Sequence, residues 1–96
     1  MKNSNNNSKI VKELNTLVDR LSSLCYKSES GDDIYFRIKY DNNGWTLEEC
    51  FLSARNEWVP LYIYSNSDIN MFRTVLKSMV ATEQRKALEK LGYSFS

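Results

Sequence analysis

Residues 34–64 decide the fold and read IYFRIKYDNNGWTLEECFLSARNEWVPLYIY. Three segments in this stretch alternate apolar and polar residues, the period expected when successive side chains of a β-strand point to opposite faces. Asn43 and Gly44 lie between the first two segments and are typical of a hairpin turn. Pro60, in the third segment, has no N–H to donate, which restricts that strand to a sheet edge or a bulge. The stretch therefore predicts a three-stranded antiparallel meander with its third strand at an edge.

The alternation gives this sheet one apolar face and one face rich in aromatic and cationic side chains. Ile34, Phe36 and Ile38 point to the apolar side in the first segment. In the second segment neither face is cleanly apolar, which predicts a bulge near Glu48 and Glu49. The candidate partner-binding residues share the second face: Tyr35, Arg37, Lys39, Trp58, Tyr62 and Tyr64.

The first of two amphipathic helices precedes the strands. From Ile10 onward apolar residues recur at spacings of three and four, and Ser8 can cap the first turn, so a helix is predicted over about residues 9–26. Residues 1–7 are polar and Asn-rich, with nothing to bury, which predicts a disordered N-terminal tail. The rest of the chain, residues 8–96, is predicted to form a single α+β domain.

The second amphipathic helix follows the strands. It is predicted to open after Asp68, to break near Thr82, which resembles a new N-cap, and to end at Gly92 in a left-handed residue. The resulting order is helix, three-stranded antiparallel meander, helix (αβββα), in which helices usually pack on one sheet face as two layers. If both helices share one face, the aromatic and cationic face is open; if they lie on opposite faces, it is core.

Composition restricts the function classes. The chain has 96 residues, 42% hydrophobic and 26% charged, with a formal net charge of +1. Residues 31–65 carry three basic against six acidic residues. Such a balance argues against an electrostatic nucleic-acid binder, because these domains usually carry a clear basic excess. No apolar signal segment follows Met1, and the longest apolar run, residues 58–64, is too short to span a membrane. We therefore expect a cytoplasmic protein, in a bacterial or a host cell, with no membrane partner.

Catalytic constellations are missing from the sequence. The chain has no histidine, and thus lacks the commonest general base and metal ligand. Cys25 and Cys50 lie among apolar residues and are expected to be free, packed thiols. Glu48 and Glu49 are neighbours in a strand, so their carboxylates point to opposite faces and need not converge on one substrate. We predict a protein that is not an enzyme and that uses no cofactor and no metal.

Two hypotheses remain for the aromatic and cationic face. Aromatic side chains that stack on bases, with Arg or Lys for the backbone, would bind single-stranded nucleic acid. The order of strands, turn and helix over residues 33–79 resembles the PUR-repeat family of single-strand binders, although without a diagnostic motif. Alternatively, Tyr, Trp and Arg are enriched at the centres of protein interfaces, where a mixed charge balance is no obstacle.

The second hypothesis is the one that the charge balance favours. We predict a small protein-binding module, an adaptor or inhibitor of a larger complex, in the manner of a phage or mobile-element protein that acts on a host system. Single-stranded nucleic-acid binding is the alternative. A homodimer is also a candidate, because four residues of the first helix follow coiled-coil spacing, although the wider apolar stripe favours core packing: these four are Val11, Leu14, Val18 and Leu21.

Overall fold

The chain folds in the predicted order in a computed structural model that describes residues 2–27 and 31–93, with side chains from residue 8 onward. The α+β class and the αβββα order are confirmed. The prediction of a disordered tail over residues 1–7 stays a prediction, since residue 1 and the side chains of residues 2–7 lie outside the described part. The elements are α1 (Lys2–Leu24), β1 (Ile34–Asp41), β2 (Gly44–Leu52), β3 (Trp58–Asn66) and α2 (Ile69–Lys90).

The hairpin between β1 and β2 is confirmed, with its loop one residue earlier than predicted. Asp41 pairs with Gly44, so the loop consists of Asn42 and Asn43. Among the described residues neither asparagine has a positive φ, whereas Gly44 has φ +93°. The loop therefore differs from the type I′ turn, in which both central residues have positive φ. The loop fixes the register of β1 against β2.

Pro60 lies in an edge strand, as predicted. The strand order is β1-β2-β3, and Cys50 of the central strand lies opposite Pro60. Leu52 donates its N–H to the carbonyl of Asp33, 3.0 Å away, so alternate residues of β2, Cys50 included, exchange hydrogen bonds with β1 rather than with β3. The nitrogen of Pro60 therefore faces the free edge, where no ladder hydrogen bond is lost.

A bulge interrupts the pairing of β2 with β3 at the predicted position. Leu47 pairs with Tyr64 and the next residue, Glu48, pairs with Tyr62. Ile63 is therefore the additional residue, and it belongs to β3 although the irregular alternation that predicted the bulge lies in β2. A bulge shifts the alternation by one residue, so side chains after Ile63 change faces relative to the simple period of two.

Both helices pack on the same face of the sheet. α1 contacts β1 and α2, and α2 also contacts β3. The core draws on both helices and on β1 and β2: Leu14, Val18, Leu21, Ile34, Phe36, Leu47, Phe72, Leu76 and Val80. The opposite sheet face, called the open face below, is not covered by any described element. It consists of Tyr35, Arg37, Lys39, Asp41, Thr46, Glu48, Cys50, Leu52, Trp58, Pro60 and Tyr62.

The helix ends differ from the sequence prediction at two points. α1 begins before Ser8, which is therefore not its N-cap. α2 continues through Thr82 without a break, because good helix formers follow that residue and the helix contains no glycine or proline. Asp68 caps α2 by accepting hydrogen bonds from backbone N–H groups of the first turn. Gly92 ends the helix at φ +98° and donates its N–H to the Glu89 carbonyl at 3.0 Å, as predicted for a left-handed end.

The residues proposed for a homodimer seam on α1 are mostly inside the core. Leu14, Val18 and Leu21 are 0%, 6% and 1% exposed, and only Val11 of the set is half-buried. Two copies cannot meet through these side chains while each chain keeps its own core. The wider apolar stripe of α1 thus serves to cover the sheet and α2.

Candidate functional site

The open face brings together five of the six predicted contact residues. Tyr35, Arg37 and Lys39 alternate with the core residues of β1 and so point away from the helices. Trp58 contacts Tyr35 across the face. Tyr62 lies opposite Glu48, which in turn lies opposite Arg37, so these three form one row across the sheet. The side of the sheet on which α1 packs thus leaves this face accessible.

Tyr64, the sixth predicted residue, lies on the helix side instead. Its ring stacks on Phe72 of α2 at a centroid distance of 5.9 Å and an interplanar angle of 18°. Its hydroxyl accepts a hydrogen bond from Asn66 Nδ2 at 2.9 Å. The bulge at Ile63 moves Tyr64 out of phase with Tyr62, which strict alternation had placed on the same face. The placement of Tyr64 beside the other five was wrong, and Tyr64 contributes to packing on α2.

The aromatic half of the open face is built on a buried thiol. Tyr35 and Trp58 meet edge to face, with centroids 4.9 Å apart and planes at 73°. Cys50 lies between their strands and is 1% exposed. A hydrogen bond with this thiol, together with burial, raises the pKa of Tyr35. An edge-to-face pair contributes about 0.5–1.5 kcal/mol beyond area burial, which favours this orientation of Trp58 although it is 48% exposed.

The charged half of the open face is organised by Glu48. Its Oε1 accepts a hydrogen bond from Arg37 Nε at 2.9 Å, and its Oε2 lies 3.2 Å from Lys39 Nζ. The side chain of Glu48 is only 9% exposed, whereas those of the two cations are 48% exposed. Burial acts to raise the pKa of Glu48, but the hydrogen bonds from Arg37 and Lys39 outweigh it and hold the pKa below its ordinary value. Glu48 is thus a central residue of the face.

Carboxylates balance the cations of this face. Glu48 contacts both Arg37 and Lys39, and Asp41 Oδ2 lies 3.7 Å from Lys39 Nζ. These four residues together carry no net charge. The wider acidic excess of residues 31–65 comes from turns and from the helix side, where Glu49 lies. The open face is therefore a mixed surface and not an electropositive one.

The edges of the sheet are poorly suited to pairing with a strand of another protein. Ser22 Oγ of α1 accepts the N–H of Phe36 at 2.9 Å, and Ile34 donates its N–H to the Tyr26 carbonyl at 3.1 Å, so the first half of the β1 edge is occupied. At the other edge Pro60 removes a donor from β3. Recognition by the sheet therefore relies on the side chains of a face and not on strand pairing at an edge.

Comparison of the chain with protein-family models, with curated proteins and with solved structures finds no match. Within the described residues, neither helix combines the length and the apolar character needed to cross a membrane. Cys25 and Cys50 are both unbonded, the first half-buried and the second buried, as the sequence suggested.

Proposed function

We propose that this chain is a small non-enzymatic protein-binding module that recognises its partner through the open face. The observation that carries the proposal is the position of Glu48, buried between Arg37 and Lys39 beside exposed aromatic side chains. This arrangement combines rigid aromatic anchors with charges that are already paired and oriented. One binding face on a chain of 96 residues suits an adaptor or an inhibitor of a larger complex, and a phage or mobile-element origin stays a prediction.

The electrostatics of the face favour protein over nucleic acid. Polyanion binding draws its affinity from cations that neutralise phosphates and release counterions. Here Arg37 and Lys39 already contact Glu48, so an approaching phosphate would meet a carboxylate between the two cations. A protein interface tolerates such internal pairing. Polar groups at its rim orient the two partners, and aromatic anchors such as Trp58 and Tyr62 supply most of the binding energy.

Matched tyrosine substitutions test this proposal. Tyr62 and Tyr26 are both 65% exposed, but only Tyr62 lies on the open face. We expect Tyr62→Ala to lower the recovery of affinity-captured native partners at least tenfold, as for an interface anchor, while Tyr26→Ala leaves it unchanged. Both variants should unfold within about 1 kcal/mol of the wild type, because exposed side chains contribute little to stability.

Two outcomes would contradict the proposal. Equal capture by the Tyr62 and Tyr26 variants would show that the open face does not bind the partner. Saturable binding of labelled poly-dT that weakens between low and moderate salt, and that is lost in Tyr62→Ala, would instead identify the face as a single-strand binding platform.

A further inference from the structure

A groove lies on the helix side of the sheet, where the helices leave β3 largely uncovered. It encloses about 290 Å³. Its apolar wall comes from both helices and from β1 and β3: Leu21, Ile34, Phe36, Ile63 and Met79. Ile63 in this wall and Leu61 next to it are 38% and 48% exposed, although they belong to the sheet face that the helices pack against. The groove thus continues into an apolar shelf along β3.

The charged groups around the groove are paired except for one. Lys27 contacts Asp33, and Glu83 Oε2 lies 3.3 Å from Lys86 Nζ. Glu49, the other carboxylate of the lining, receives no hydrogen bond or ion pair from any described side chain. The surroundings of the groove therefore carry one uncompensated negative charge, and it resides on Glu49.

The position of Glu49 indicates that its carboxylate lacks a cationic partner among the described residues. It lies in the central strand on the side of the helices, half-buried, with Phe36 and Leu61 as its cross-strand neighbours. A carboxylate among apolar side chains loses hydration without any compensating contact, which is unfavourable unless a cation approaches it. Leu61 and Phe36 cannot supply one, and the pairs of the two lysines nearby are already made.

We propose that this groove binds the side chain of a lysine carried by an apolar segment of another protein. The aliphatic stem of lysine suits the apolar wall, and its ammonium group supplies the single positive charge that Glu49 lacks. The groove is open along β3, so a small free amine bound in it would leave the neighbouring apolar surface of β3 exposed. A polypeptide segment that lies along β3 also covers Leu61 and Ile63. The site is on the opposite side of the sheet from the open face and does not depend on its function.

A peptide series tests the proposal without a known partner. The probe is acetyl-Leu-Lys-Leu-amide. One control replaces its lysine with norleucine, which keeps the four-carbon stem without the ammonium group, and the other replaces it with glutamate. Methyl resonances of Ile63 and Met79 report binding at the groove. We expect saturable shifts with the lysine peptide, about fivefold weaker binding of the norleucine peptide, as for a partly exposed ion pair, and no binding of the glutamate peptide.

Two variants connect the result to Glu49. Glu49→Gln keeps the size of the side chain and should abolish the preference for lysine over norleucine, whereas Glu57→Gln, in the exposed turn before β3, should retain it. The amide spectrum of each variant verifies that it is folded. The proposal is overturned if the lysine peptide causes no shifts up to about 10 mM, if lysine and norleucine peptides bind equally to the wild type, or if Glu49→Gln keeps the preference. Shifts confined to Trp58 and Tyr62 would also overturn it.

Discussion

Replacement of Glu48 by glutamine should destabilise the fold by about 1–2 kcal/mol at pH 7. A hydrogen bond to a charged group contributes about 1.5–3 kcal/mol, and Glu48 makes such contacts with Arg37 and Lys39. Glutamine still offers one acceptor oxygen, and both cations are 48% exposed, so water can replace the lost contact. The expected loss in the free energy of unfolding is therefore closer to the contribution of one charged hydrogen bond than to that of two. For a domain of this size it corresponds to a fall in Tm of about 4–8 °C per kcal/mol.

The pH dependence separates charge from packing. Arg37 and Lys39 hold the pKa of Glu48 below its ordinary value against the opposing effect of burial. The unfolded chain, with the ordinary value of about 4.3, binds its proton first as the pH falls. The stabilisation by Glu48 is thus fully present above the unfolded pKa and is lost as the pH falls through the folded pKa. Glu13, whose pKa is also lowered, titrates equally in both proteins and cancels in the difference.

Urea unfolding followed by tryptophan fluorescence at pH 7 and at pH 2.5 measures the effect. The difference between wild type and Glu48→Gln should be smaller at the lower pH. Glu57→Gln, on an exposed side chain, serves as the control and should change stability by no more than about 0.5 kcal/mol at either pH. A difference that is the same at both pH values would refute the electrostatic account, and no difference at pH 7 would show that Glu48 does not organise the open face.

Two further predictions concern the hairpin and the thiol. Gly44→Ala should destabilise by at least about 2 kcal/mol more than Gly31→Ala in urea unfolding. Both glycines have positive φ, but an added Cβ at Gly44 would lie 2.6 Å from backbone just after β3, whereas at Gly31 it would have no described atom within 4 Å beyond its chain neighbours. Equal losses would contradict this contact. Burial and a hydrogen bond with Glu83 raise the pKa of Cys25 to about 11, so a disulfide reagent at pH 7.5 should label Cys25 roughly a hundredfold more slowly than an unperturbed thiol, and Glu83→Gln should accelerate the labelling; rapid native labelling would contradict it.

The strands and their order could be predicted because their signals are local. A period of two fixes which residues of β1 face the core, and Pro60 identifies an edge through a property of its own nitrogen. The amphipathic helices follow from the same kind of evidence. The side on which the helices pack depends on contacts between distant residues, and no local pattern in residues 34–64 determines it. Whether Tyr35 and Tyr62 were accessible therefore needed the structure.

The errors at the candidate site share one physical origin, the register. A turn centred on Asn43 and Gly44 would place Glu48 opposite Lys39, whereas the observed pairing of Asp41 with Gly44 places it opposite Arg37. A shift of one residue in a loop thus changes every cross-strand neighbour. A bulge has the same effect further along a strand, as at Tyr64. Propensity and alternation locate such irregularities approximately, but pairing determines their consequences.

Glu48 and Glu49 show how much a register decides. In sequence they are two adjacent acids of one strand, with no local signal that distinguishes their surroundings. In the sheet their carboxylates point to opposite faces. Glu48 meets two cations of its own chain and is buried with a lowered pKa, so it preorganises the open face. Glu49 faces apolar neighbours and receives no ion pair from the described residues. A half-buried carboxylate gains most from an approaching cation when none is already present. On one face of β2, therefore, Glu48 is already paired within the chain, and on the other face Glu49 is the charge that a cationic ligand would pair with.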